Sequence, residues 1–236
     1  MNDKTKSSSD PLYAVLTGDI INSSALSGEK IKSCWEVISQ TQKGFIEHYG
    51  PVIIGSPDFY RGDSWQILID QPALSLRFAL LLRARLKSEI ETDTRIAIGI
   101  GSVETIHPQN ISMSQGEAFT LSGQSLDDIS GYFNLTGQLP DKARPMAEWF
   151  QVILYLCSEF VQSWTRRQAE IVSVALLLEP PKHAEIAKSL SPPVAKQTVT
   201  DSLKGAHWRA LWEVLRVFET TIWANFVKLE EDQTGI

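Results

Sequence analysis

The chain has 236 residues, 43% of them hydrophobic and 21% charged, the balance of a globular protein with room for one or two cores. Its formal net charge of −6 supplies no global field that would draw it onto nucleic acid or anionic lipid, so any DNA binding must come from a local patch. No stretch approaches the roughly 18 uncharged apolar residues that a membrane span requires, and no membrane partner is expected.

Met1 to Asp10 is polar and lacks the apolar segment of a secretory signal, which predicts a disordered tail. Leu12 to Gly18 is a short apolar run rich in strand formers that ends at Gly18-Asp19, as a buried strand does when it meets a loop. After Ser24, apolar residues at Ile31, Trp35, Ile38, Phe45 and Ile46 recur at helical spacing up to the Gly50-Pro51 stop. Val52 to Ile54 and Trp65 to Ile69 then read as two strands joined by a loop centred on Arg61, Gly62 and Asp63.

Ala73 to Ile90 reads as a helix, Thr94 to Val103 as a strand and Gln115 to Ile129 as a further helix. Gly131 to Pro145 reads as loop, with one short strand at Tyr132-Phe133. From Met146 onward the pattern is helical. The expected organisation is a tail over 1–10, an α/β domain over 11–145 and a helical domain over 146–236. Cys34 and Cys157 lie in apolar helical patterns and are expected as buried thiols in a reducing compartment, the cytoplasm.

Asp19 at the end of the first strand and Asp63 at the hairpin bring two carboxylates to one rim of one sheet. Hard cations take such oxygen ligands together with nucleotide phosphates, so the pair suits Mg²⁺ or Mn²⁺. The following segment, Ile21, Asn22, Ser23 and Ser24, lies before a helix, where backbone N–H groups and hydroxyls favour a phosphate. The alternative is that Asp19 and Asn22 cap a turn and that Gly62-Asp63 is only a hairpin tip.

Val15 to Leu26, Arg61 to Trp65 and Thr94 to Glu104 resemble, in order and spacing, the core motifs of class III nucleotidyl cyclases. That resemblance implies an α+β fold: a ferredoxin-like mixed sheet with packed helices, whose carboxylates hold metal ions against a nucleoside triphosphate. The metal set it implies is Asp19, Ile20 and Asp63. Over roughly residues 11 to 210 the chain is still more similar to the SatD family, in which such a domain precedes an all-α helix-turn-helix domain. Cyclases also carry an asparagine and an arginine on the helix after the Gly-Ile-Gly strand, and aligning Gly116 to Leu126 puts Thr120 and Gln124 there. A neutral Gln124 lacks the charged fork of an arginine, so efficient cyclisation is not expected. Arg61 and Arg95 are the cations left to take its place, and Arg61 joins the nucleotide-binding set.

No nucleophile elbow, phosphate-binding glycine loop or zinc-spaced cysteine pairs compete with this reading. His48, His107, His183 and His207 are scattered and are expected as surface residues.

In the C-terminal part, a helix from Thr165 to Leu178 stops at Pro180-Pro181, and His183 to Leu190 reads as a short positioning helix. Ser191 to Val194 is the turn, and Ala195 to Lys204 is the expected recognition helix. Its Lys196, Gln197, Thr198, Thr200 and Lys204 are the candidate DNA contacts, although Asp201 on the same helix is unfavourable near phosphate. A packing or partner-binding role is the alternative. Trp208, Leu211, Trp212, Leu215, Phe218, Ile222 and Phe226 form a stripe wide enough to suggest a homodimer contact.

The expected function is a nucleotide- and metal-binding transcriptional regulator that binds DNA. A nucleotidyl cyclase or nucleotidyltransferase with altered catalytic residues and a non-enzymatic interaction module are the alternatives.

Overall fold

The computed structural model describes residues 11–60, 62–129 and 131–227, so the expected tail and Arg61 lie outside the described residues. Five strands form one mixed sheet: β1 (Tyr13–Ile20), β2 (Ile53–Tyr60), β3 (Ser64–Ile69), β4 (Thr94–Gly101) and β5 (Leu135–Gln138). Their spatial order is β2-β3-β1-β4-β5, with every pairing antiparallel except β4 with β5. α1 (Gly28–Tyr49) follows β1, and α2 (Ser75–Arg85) follows β3. The order β-α-β-β-α-β, with β3 inserted between β2 and β1, is a split β-α-β arrangement. The protein is thus a mixed α+β fold.

Alternation along β1 gives each face its own cover. Ala14, Leu16 and Ile20 enter the main core, whereas Val15 faces a smaller cluster with Leu68, Ile111 and Ala118. That second face is covered by α3 (Glu117–Asp127). Gly18 is fixed by close approach: a Cβ there would sit 2.4 Å from the Trp65 ring and 2.5 Å from the Arg95 carbonyl oxygen.

The helical part comprises α4 (Met146–Ser163), α5 (Arg166–Ala175), α6 (His183–Ser189), α7 (Lys196–Gly205), α8 (Trp208–Thr220) and α9 (Ala224–Val227). Thr165 caps α5 in a reciprocal capping box with Gln168. One continuous cluster of buried apolar side chains runs from β1 through α2 to α8 and α9. α2 lies at its centre, with ten of its eleven residues buried. Among the described residues, no helix is long and apolar enough to cross a membrane.

Three local expectations change. The strand expected at Tyr132-Phe133 falls instead at Leu135–Gln138. Tyr132 is exposed, while Phe133 stacks on Tyr155 with ring centres 4.1 Å apart. The helix expected over Ala73 to Ile90 leaves α-geometry after Arg85 for a wider π-turn over Leu86–Ile90, which closes on a left-handed Glu91. The terminal helix breaks after Thr220, and its stripe at Leu211, Leu215 and Phe218 is buried in this chain's own core.

Candidate functional site

Antiparallel pairing sets the centre of the site. Asp19, one residue before the end of β1, stands opposite Ser64 on β3 and Arg95 on β4. Arg95 donates from Nε to Asp19 Oδ1 at 2.8 Å and from Nη2 to Asp19 Oδ2, a two-pronged contact matching the planar guanidinium to the carboxylate. Hydrogen bonding to Asp19 raises the Arg95 pKa above the ordinary arginine value against the opposing effect of burial, and the charges of Asp19 and Asp63 add to it. One guanidinium therefore serves both aspartates.

Asp63 is held by its neighbours. Its Oδ2 accepts from Ser23 Oγ at 2.5 Å, and its backbone carbonyl accepts from the Ile20 N–H at 3.1 Å. Ile21 N–H donates to the Asp93 carbonyl oxygen at 3.0 Å, and Arg83 clamps the Asp93 carboxylate through Nε and Nη2 at 2.9 and 2.7 Å. Behind Asp19, Thr94 Oγ1 donates to the Asp19 carbonyl oxygen at 2.6 Å and accepts from Trp65 Nε1 at 3.0 Å. The buried Trp65 lies against Gly18, so the strand end carrying Asp19 is braced from both sides.

The loop after β1 differs from expectation. Asn22 is left-handed at φ 56°, and Ser23–Ala25 forms a single 3₁₀ turn. α1 begins only at Gly28, capped by Ser27, whose Oγ accepts from the Lys30 N–H at 3.2 Å. Ser23 and Ser24 therefore stand away from the positive end of α1, and Ser23 spends its hydroxyl on Asp63. The exposed Asn22 and Ser24 are the loop's solvent-facing polar residues.

Two carboxylates and the Ile20 backbone carbonyl offer the hard oxygen donors that Mg²⁺ or Mn²⁺ takes. Among the described residues, no group of three or more His, Cys, Asp and Glu side chains comes together, so further ligands must come from water or phosphate. The oxygen donors are of the chemical type a divalent cation takes, and the Asp19 carboxylate is held by Arg95. Thr120 and Gln124 lie exposed on α3 and place no positive charge there.

At the other candidate surface, Lys196, Gln197, Thr198 and Lys204 are exposed on α7, whereas Val199 and Leu203 are buried. Thr200 is drawn inward, its Oγ1 lying 2.9 Å from His183 Nδ1 on α6. Gln197 donates to Asp201 Oδ1 at 2.9 Å, which occupies part of its amide.

Sequence reading offers Arg95 only as a substitute cation and gives Thr94 no role of its own, whereas the structure sets both against Asp19. Their signal is the period-2 alternation of β4, readable only once its register against β1 is known.

No protein-family model matches the chain, and no curated protein matches it. Among solved structures, it is similar to the crystal structure of the guanylyl cyclase Cya2, at 15% identity over 52% of this chain and 72% of that chain, with a TM-score of 0.35. At so loose a likeness, the chemistry of the site rests on its own geometry.

Proposed function

We propose that the chain binds a nucleoside triphosphate together with Mg²⁺ or Mn²⁺ at the Asp19, Asp63 and Arg95 rim, and acts through its helical half as a DNA-binding regulator. The observation that supports this reading is the single guanidinium held against Asp19 within the field of Asp63. A metal–triphosphate complex brings a partner for each side of that contact. The cation takes the two carboxylates and the Ile20 carbonyl, and the freed Arg95 pairs with phosphate oxygens in the two-pronged geometry it now uses on Asp19. Asn22 and Ser24 stand ready for the remaining phosphate contacts. The likeness of the motifs to class III cyclases and to the SatD family agrees with this ligand class.

Turnover is not part of the reading, because neutral Thr120 and Gln124 offer no charge to a developing transition state. The regulatory output rests on α6 and α7, a short helix and a longer one joined by a six-residue turn, with Lys196, Gln197, Thr198 and Lys204 presented outward.

Thermal melting of wild type and Asp63→Ala against the common nucleoside triphosphates, each with and without Mg²⁺, tests the site. A metal-dependent rise in Tm for at least one nucleotide, absent in Asp63→Ala, is expected. No rise in the wild type rejects the nucleotide reading. For the output, binding to duplex DNA must weaken linearly on logarithmic salt axes, and nucleotide must change its midpoint.

A further inference from the structure

Where α1 and α2 meet α5 and α6 lies a half-open cavity of about 450 Å³, whose lining residues are not those of the aspartate site. Its wall is apolar, built from Leu81 of α2, Val174 of α5, and Leu177 and Leu178 just beyond α5. Two cationic or ionisable side chains, His48 of α1 and Arg85 of α2, also line it. Among the described residues, Arg85 bonds only through Nε, to Glu89 at 2.6 Å, which leaves its terminal nitrogens for a ligand. Glu185, the acid on the same rim, is already paired with Lys182 at 3.1 Å.

The floor of the cavity includes Gly44, in the interior of the 22-residue helix α1. A glycine there costs a helix about 1 kcal/mol relative to alanine. No packing demand explains it, because a Cβ built on Gly44 meets nothing within 4 Å. The missing side chain leaves the cavity open at its base. A volume within the usual range of ligand sites, an apolar wall, and the Arg85 guanidinium and His48 imidazole on one lining together describe one kind of occupant.

We propose that this cavity binds a small amphipathic carboxylate, its apolar body against Leu81, Val174 and Leu178 and its carboxylate at Arg85 and His48. Because the walls come from both the sheet-bearing and the helical parts, the occupant acts as an effector bridging them. The site stands independently of the nucleotide reading.

Isothermal calorimetry on the full chain with octanoate, and with 1-octanol as the uncharged control, tests the proposal. Saturable octanoate binding at least tenfold tighter than octanol is expected, unchanged in Asp63→Ala. Arg85→Gln should erase the tenfold preference, and Gly44→Leu should abolish binding while its Tm holds or rises. If Gly44→Leu does not fold, Leu178→Trp fills the same space from the opposite wall. No saturable heat with octanoate, equal binding of octanol, or undiminished binding in the folded cavity-filling variant each overturns it.

Discussion

Asp19 and Arg95 face one another in register across β1 and β4, and the guanidinium grips the carboxylate with two of its nitrogens. A bare metal ion must break that contact to reach Asp19, whereas a metal–triphosphate complex compensates Arg95 with phosphate. Arg95→Gln should therefore bind Mn²⁺ alone roughly tenfold more tightly and the metal–triphosphate complex roughly tenfold more weakly, about 1.4 kcal/mol in each direction. Titration calorimetry reads both constants. A variant weakened for both ligands alike would show that Arg95 only supports the fold.

Gly18→Ala probes the bracing behind Asp19. The new methyl group would press on the Trp65 ring and on the Arg95 carbonyl, so β1 must move against β3 and β4. A loss of about 1–3 kcal/mol in urea unfolding is expected, along with loss of the nucleotide-dependent Tm shift. A stability equal to wild type would mean that the strands have slack the geometry does not show.

Arg77 on α2 is almost wholly buried, and its Nε and Nη2 donate to Glu219 at 2.5 and 2.9 Å while Nη1 donates to the Leu176 carbonyl oxygen at 2.9 Å. Arg77→Met leaves the Glu219 charge without its partner and should cost roughly 3–5 kcal/mol. Arg77→Met combined with Glu219→Leu should be more stable than Arg77→Met alone, since the more buried charge is gone and only the half-exposed Glu179 loses its partner. A double variant whose loss equals the sum of the two single losses contradicts this coupling.

Burial pushes the Tyr49 hydroxyl from its ordinary value of 10.0 to about 12, and burial pushes the Cys157 thiol from 9.0 to about 12. Both groups keep their protons in the folded chain at a pH where the unfolded chain has lost them. Their contribution is complete below about pH 9 and declines as pH rises towards 12, because there the unfolded state binds fewer protons. Urea midpoints should fall between pH 9 and 11, and Cys157→Ala should flatten that fall. Equal slopes in wild type and Cys157→Ala would assign the alkaline loss to other groups.

On α7, Lys204→Ala and Thr200→Val should separate surface from core. Removing the exposed Lys204 should weaken DNA binding across sequences and lower the salt slope by about one, with Tm unchanged. Thr200→Val removes the partner of His183 Nδ1 and should lower Tm before it touches DNA affinity. Fluorescence anisotropy and melting on the same samples distinguish the two.

Much of the sheet was legible because local pattern and local environment agree. The run from Leu12 to Gly18 and the run from Thr94 onward become strands buried on both faces, and the helical period between Ile31 and Ile46 matches the face of α1 that packs on the core. β5 was not legible, because Gly137 reads as punctuation in a four-residue strand. In the fold it is the close approach that admits Phe150 and Leu154, each 2.6 Å from where its Cβ would stand. Asp19 and Asp63 announce themselves through their Gly-Asp pairs, but the pairing of Arg95 with Asp19 does not. Its meaning depends on a strand register that no single segment encodes. The stripe on α8 divides in the fold: Leu211, Leu215 and Phe218 are buried in this chain's own core, whereas Ile222 is exposed, a split that periodicity alone does not show.

The burial of α2 bears on how such a protein can be inherited. A helix walled in on nearly every side answers to two neighbourhoods at once, through Arg83 to Asp93 beside the loop after β1 and through Arg77 to Glu219 at the end of α8. A genetic exchange that joined residues 11–145 to a different helical segment would bare the far side of α2 and leave Arg77 without Glu179 and Glu219. The two halves are therefore poor material for shuffling. They must change together, each substitution along α2 being judged by both neighbours.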